Sequence, residues 1–129
     1  MGRTEDAEEK VSCACRLPEE MPPEVQDVLE SMGGIDSLPG MLPPGDALTR
    51  EARVHRAMAD PLRLRVLHLL AISSFCVCVV RAVTGVEDSR LSYHLGILRD
   101  AGLVVSRKQG SFLVYNLSDE GRARVRRGP

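Results

Sequence analysis

The four cysteines stand in two C-x-C pairs, Cys13-Ala14-Cys15 and Cys76-Val77-Cys78. Thiolates at this spacing suit soft ions: Cd(II), Pb(II) or Zn(II), or As(III) and Sb(III) through three sulfurs. In a chain without a signal-peptide pattern they read as thiols or metal ligands rather than as a disulfide framework. The competing bland role is that of small buried hydrophobes, since Cys76 and Cys78 sit in the apolar run Phe75–Val80. Geometry constrains the second pair. On an ideal helix, residues two apart point about 200° from each other. Cys76 and Cys78 can share one ion, at metal–sulfur distances of about 2.3 Å, only where the backbone is bent or unwound. No phosphate loop, carboxylate pair or nucleophile motif is present, and no pattern designates His55 or His68 as a base for a thiol. An enzyme is not expected.

A second chemistry-bearing stretch is Glu87–Gly102, EDSRLSYHLGILRDAG. Leu91, Leu95 and Leu98 recur at i, i+4 and i+7, which predicts a helix with one buried face. Ser89, Tyr93, Gly96 and Asp100 fall opposite, with Ser92 and Arg99 beside them. Short polar side chains on an exposed helix can enter a DNA major groove and reach base edges or phosphates. His94 lies beside the buried face and is expected to pack rather than to read bases. Gly102 supplies a left-handed stop, Leu103-Val104-Val105 reads as a strand, and Phe112–Leu117 as another after a turn at 108–111. Helix followed by a hairpin with a basic tip is the outline of a winged helix.

Other elements must hold that helix in place. Residues 1–20 are polar and acidic without periodicity and are expected to form a mobile arm. A short helix begins at Pro22 or Pro23, with Val25, Val28, Leu29 and Met32 on one face and Gly33 past its end. Four glycines and three prolines within 33–45 predict a linker. A helix over about 46–59 turns Val54, Ala57 and Met58 inward. Asp60-Pro61 restarts the chain as N-cap and first helical residue. Leu62, Val66, Leu69 and Leu70 form the expected buried stripe of the next helix, with Arg63 and Arg65 outward. Ser73-Ser74 breaks that helix, and the run from Phe75 to Gly85 precedes the main helix at helix-turn-helix spacing. The tail after Ser118 reads as a short Arg-rich helix start without an apolar stripe. The division is therefore an arm (1–20), a short helix and linker (21–46) and a winged-helix domain (47–129). The fold class is α+β and mainly helical.

A net charge of −1 over 129 residues conceals an asymmetry. Residues 1–48 hold three basic and eleven acidic residues, and residues 49–129 hold fourteen basic and seven acidic. A basic domain behind an acidic segment suits a nucleic-acid binder whose leading segment avoids the phosphates. No apolar run is long enough to cross a bilayer, so a soluble, cytoplasmic protein is expected.

Five segments together resemble the ArsR/SmtB metal-responsive repressors: His55–Leu70, Cys76-Val77-Cys78, Leu91–Leu95, Leu98–Val104 and Arg107–Gly110. The resemblance spans about 47–117 and is nearest to the cadmium/lead-responsive branch. It implies a homodimeric winged-helix repressor that leaves double-stranded operator DNA when a metal or metalloid binds. The reading-helix positions it implies are Ser89, Arg90, Ser92 and Tyr93, with Arg107 and Lys108 in the wing. It also implies that Cys13 and Cys15 on the arm act with Cys76 and Cys78 as ligands, with no organic cofactor. Three features depart from the family pattern. Asp88 stands where a neutral polar residue is frequent, although an acid at a helix N-terminus favours the macrodipole. The run after the second C-x-C lacks the usual acidic residue. The C-terminus is too short and too poor in histidine for the family's long last helix and its zinc site, so dimerisation is expected to rest on the 46–59 helix, with the short 22–32 helix as a second candidate. A thiol-based redox repressor on the same fold is the alternative function, differing only in the signal. A winged helix used only for dimerisation fits less well with the basic wing tip and the hydroxyl-lined helix.

Overall fold

The computed structural model describes residues 21–125. The arm and its Cys13 and Cys15 lie outside the described residues. The chain divides into two units between Pro43 and Pro44. In the first, helix α1 (Pro23–Met32) starts on a proline and stops at Gly33, whose φ of 101° needs no Cβ. The expected plain linker instead folds into two 3₁₀ turns, Ile35–Ser37 and Pro39–Met41. The Ser37 hydroxyl accounts for the first, donating to the carbonyls of Gly34 and Met32 at 2.7 and 3.0 Å.

The second unit runs α2 (Gly45–Met58), α3 (Pro61–Ile72), β1 (Phe75–Cys76), α4 (Val77–Thr84), α5 (Asp88–Asp100), β2 (Val104–Gln109), β3 (Phe112–Leu117) and α6 (Asp119–Arg124). The strands form one antiparallel sheet in the order β1-β3-β2. This is a winged helix-turn-helix: α4, a turn at Gly85 (φ 71°), α5, and the β2–β3 hairpin as wing. Its core joins Val54 and Ala57 of α2, Val66, Leu67 and Leu70 of α3, Val80 of α4, Leu91, Leu95 and Leu98 of α5, and Leu103, Val104, Tyr115 and Leu117 around the sheet. Among the described residues no helix is long and apolar enough to cross a membrane.

Several expectations need correction. On α3 the fully buried residues are Val66, Leu67 and Leu70, whereas Leu62 and Leu69 are half-buried. This helix touches α2, α4, α5 and β3, so its apolar residues are enclosed from several sides and a single stripe describes it poorly. Arg63 does not project outward. It folds back along the protein, as described below. Within the run Phe75–Val80 a strand precedes the helix, because Phe75 and Cys76 pair as strand β1 with Tyr115 and Val114. In the hairpin, Lys108 and Gln109 stay in β2 opposite Leu113 and Phe112, leaving a two-residue turn at Gly110-Ser111. Gly110 has φ 64°, as the tight hairpin turns require. The tail's short helix packs through a glycine: Gly121 and Val125 are buried although no apolar stripe marks them.

Candidate nucleic-acid interface and thiol pair

Helix α5 shows two contrasting faces. Leu91, His94, Leu95 and Leu98 are buried, while Ser89, Arg90, Ser92 and Tyr93 are exposed, Tyr93 by 64%. The four candidate contacts therefore lie within the first two turns of one helix, near its positive dipole end. Asp88 also sits in that first turn. Arg81 of α4 donates to its carboxylate at 3.1 Å, so the acid that departs from the family pattern is neutralised from the preceding helix. The sequence alone offered no signal for this pairing.

The buried edge of α5 is tied down by Arg63. Its Nε donates to the Ala57 carbonyl at 2.6 Å, and NH2 reaches the Arg56 carbonyl at 3.4 Å, both at the C-terminal end of α2. Its NH1 donates to His94 Nδ1 at 2.9 Å. Asp60, the N-cap of α3, accepts from the backbone N–H of Leu62 and Arg63 at 2.8 and 3.1 Å. Losing such a cap costs about 1 kcal/mol. One guanidinium thus satisfies carbonyls of α2 and orients a ring on α5. With NH1 donating, His94 must present Nδ1 as an acceptor, which is the neutral tautomer. Burial holds its pKa below the ordinary 6.5, with Arg63 and Arg90 adding to that effect and Asp60 opposing it. The packed histidine expected from the sequence is what the structure places here.

The wing carries Arg107 and Lys108 on opposite faces of β2, because adjacent strand residues alternate. Both are exposed. Arg107 NH2 donates to Gln109 Oε1 at 3.1 Å, while Lys108 has no ion-pair partner among the described residues. Phe112, opposite Gln109 beside the turn, is 57% exposed and was not singled out from the sequence.

The second C-x-C pair sits where strand becomes helix. Cys76 has an extended backbone (φ −72°, ψ 158°) and is the N-cap residue of α4, whereas Cys78 lies in the first helical turn. This break supplies the bend that an ideal helix would lack, and it brings the two half-buried Sγ atoms within 2.6 Å. The Cys78 thiol, as donor to Cys76 sulfur, lowers the pKa of Cys76 below the ordinary 9.0. The backbone N–H of Val79 acts in the same direction. The same bond raises the pKa of Cys78. The pair can hold one negative charge at a helix N-terminus, an environment that favours thiolate. On a tetrahedral ion, sulfurs bound at about 2.3 Å lie about 3.8 Å apart. The two thiols can supply two ligands of a soft ion, and among the described residues no third Cys, His, Asp or Glu joins them. The structure thus brings Cys76 and Cys78 together, and the companion pair Cys13 and Cys15 lies outside the described residues.

Residues 60–106 match the bacterial regulatory protein family arsR. The arsenical resistance operon repressor of Bacillus subtilis is 36% identical over 76 residues, 58% of this chain and 72% of that protein. The cadmium resistance transcriptional regulatory protein CadC homolog of Staphylococcus aureus is 31% identical over 70 residues, 54% of this chain and 58% of its own length. Among solved structures, a homodimeric winged helix-turn-helix DNA-binding domain from Mycobacterium bovis, described as a possible ArsR-family transcriptional regulator, superposes with a TM-score of 0.58 at 34% identity. That alignment covers 61% of this chain and 73% of the other. With its helix-turn-helix, its wing and these relatives, this chain belongs to the arsR family of bacterial regulatory proteins.

Proposed function

We propose that the protein is a homodimeric transcriptional repressor that binds operator DNA and is released from it when its thiols bind a thiophilic ion. The observation that carries this is the convergence of Cys76 and Cys78 at the start of the first helix of a helix-turn-helix. The strand-to-helix break that pairing with β3 imposes aims both sulfurs at one point. In this reading Ser89, Arg90, Ser92 and Tyr93 reach into the major groove, and Arg107 and Lys108 lie on the backbone. Cys76 and Cys78, with Cys13 and Cys15 from the arm, supply the sulfurs. Relatives named for arsenical and for cadmium resistance support an ion of that soft class, Cd(II), Pb(II), Zn(II), As(III) or Sb(III). The nearness of two C-x-C pairs to the cadmium/lead pattern favours that branch.

The test is operator-fragment binding titrated with each of the five ions. Wild type should bind tightly without ion and release with at least one. Cys76→Ser and Cys78→Ser should bind as wild type without ion and fail to release, because a hydroxyl is a poor soft-ion ligand of similar size. Normal release by either variant would remove that cysteine from the site. Weakened binding with and without ion would assign both thiols to packing alone.

A further inference from the structure

Strand β1 belongs to the same sheet as the wing, and the pairing places its residues in rows across it. Cys76 is opposite Val114, and Val114 is opposite Arg107. Directly opposed residues share a face, so Cys76, Val114 and Arg107 form one row on one side of the sheet. Phe75, Tyr115 and Ser106 form the neighbouring row on the other side, where Tyr115 is buried. The thiol row therefore faces away from Tyr115 and the core. The next row on the thiol side contains Asn116 opposite Val105, with Ser74 just ahead of β1.

Polar bonds join these two rows. With its carbonyl oxygen turned toward the wing, the orientation that satisfies both ends of the amide, Asn116 accepts from Arg107 NH1 at 3.1 Å. Its amide nitrogen then donates to Ser74 Oγ and to the Tyr115 carbonyl at 3.2 Å. Gln109 Oε1 takes Arg107 NH2 at 3.1 Å. A long exposed arginine is ordinarily free to sample many rotamers and must be ordered when it binds. Here two side-chain acceptors hold the guanidinium against the sheet. One of them is bonded in turn to Ser74, two residues from Cys76.

We propose that Asn116 is a positioning residue that presets Arg107 for DNA and ties it to the thiol-bearing strand. The inference rests on the repressor reading above and assigns the wing, through β1 and β3, a part in release. Beyond their mutual contact, β1 and α4 pack against β3, and α4 against α3, whereas α5 packs on α2, α3 and β2. Movement at the thiol pair thus meets the strand bearing Asn116 directly. Sharing an ion re-aims the two sulfurs onto one centre, and the displacement falls at the end of a strand held by two pairings. The Ser74–Asn116–Arg107 chain converts that displacement into a loss of guanidinium placement.

The test uses the full chain with Asn116→Ala, Arg107→Ala, the double variant and Ser74→Ala, each confirmed folded by circular dichroism. Without ion, Asn116→Ala should weaken operator binding by about 5-fold, the range expected for ordering one long side chain, and Arg107→Ala by at least as much. Arg107→Ala should also reduce the salt slope by about one counterion, Asn116→Ala should keep the slope because the contact still forms, and the double variant should be no worse than Arg107→Ala alone. Additive losses, or wild-type operator affinity in Asn116→Ala, would overturn the positioning role. With Cd(II) as probe, ion uptake is read from thiolate-to-metal absorption, independently of DNA. Ser74→Ala should take up Cd(II) as wild type does, yet be released several-fold less when each protein is compared with its own metal-free affinity. Release equal to that of wild type would overturn the tie to β1. If wild type takes up no Cd(II) or is not released by it, the functional reading fails in its effector. The non-additive pair, measured without ion, would still decide whether Asn116 positions Arg107.

Discussion

Two helical glycines should respond to alanine with opposite signs. Gly121 lies on α6 with its Cα against the base of the wing. A methyl there would sit inside van der Waals contact of the Leu103 carbonyl oxygen, 3.1 Å from the Leu103 carbonyl carbon and 3.3 Å from Leu117 Cδ2. The main obstacle is backbone, and that backbone is engaged, since Leu103 O accepts from Ser118 N–H at 3.0 Å. It cannot swing aside as a side-chain tip could. Overpacking against backbone this close belongs in the upper part of the usual range, about 2–3 kcal/mol, and alanine's better helix propensity returns about 1 kcal/mol. The net loss for Gly121→Ala is then about 1–2 kcal/mol, or a fall in Tm of roughly 5–15 °C for a domain of this size. Gly96 on α5 has only Arg99 NH2 nearby, at 3.8 Å, so Gly96→Ala meets no obstacle and should gain up to about 1 kcal/mol. Thermal and urea unfolding of both variants, metal-free, compares them. A Gly121→Ala protein as stable as wild type would show that α6 is not seated on Leu103. A destabilised Gly96→Ala would show that α5 is more crowded than the structure has it.

Ser89→Ala combined with Ser92→Ala should weaken binding to the specific operator more than to random DNA, because both hydroxyls sit on the exposed face of α5. Equal loss on both DNAs would assign those hydroxyls to phosphates. His94, whose pKa folding lowers, favours the neutral form. Stability from this group is complete above about 6.5 and declines as pH falls from there through the lowered folded value. In urea titrations between pH 7.5 and 5, His94→Asn keeps an acceptor near the Nδ1 position and should flatten that decline. An unchanged pH profile would remove His94 as its source.

The winged helix was legible because its signals are local. The leucine spacing of α5, the Asp60-Pro61 start of α3 and the Gly110 turn each act within a few residues. Pairing across the fold was not legible. Nothing in the run Phe75–Val80 distinguishes a strand-to-helix break from a continuous helix, since only β3 supplies the partners of Phe75 and Cys76. Arg63 looked like a surface residue because the acceptors that recruit it, Ala57 O and His94, depend on how α2 and α5 pack. The tail after Ser118 showed no apolar stripe, and its anchor is instead the close approach of Gly121 to Leu103, which requires the absent side chain. For the candidate site, residue types were readable, but the neutralisation of Asp88 by Arg81 and the restraint of Arg107 by Asn116 were not.

The bonds of Arg63 also bear on the order in which the domain assembles. Its link to Ala57 closes a separation of 6 residues, whereas its link to His94 closes 31. Loop-closure entropy grows as (3/2)RT ln n, so the second closure costs about 1.5 kcal/mol more than the first. A hairpin of α2 and α3, fastened by this side chain, is therefore the cheaper nucleus, and α5 joins a guanidinium already oriented. Folding kinetics should report this sequence, with truncations at Val54 and Val66 slowing folding and truncations at Leu95 chiefly speeding unfolding. The opposite pattern would place α5 in the nucleus. Helix α5, which brings Leu91, Leu95 and Leu98 to the core, then completes that core rather than starting it.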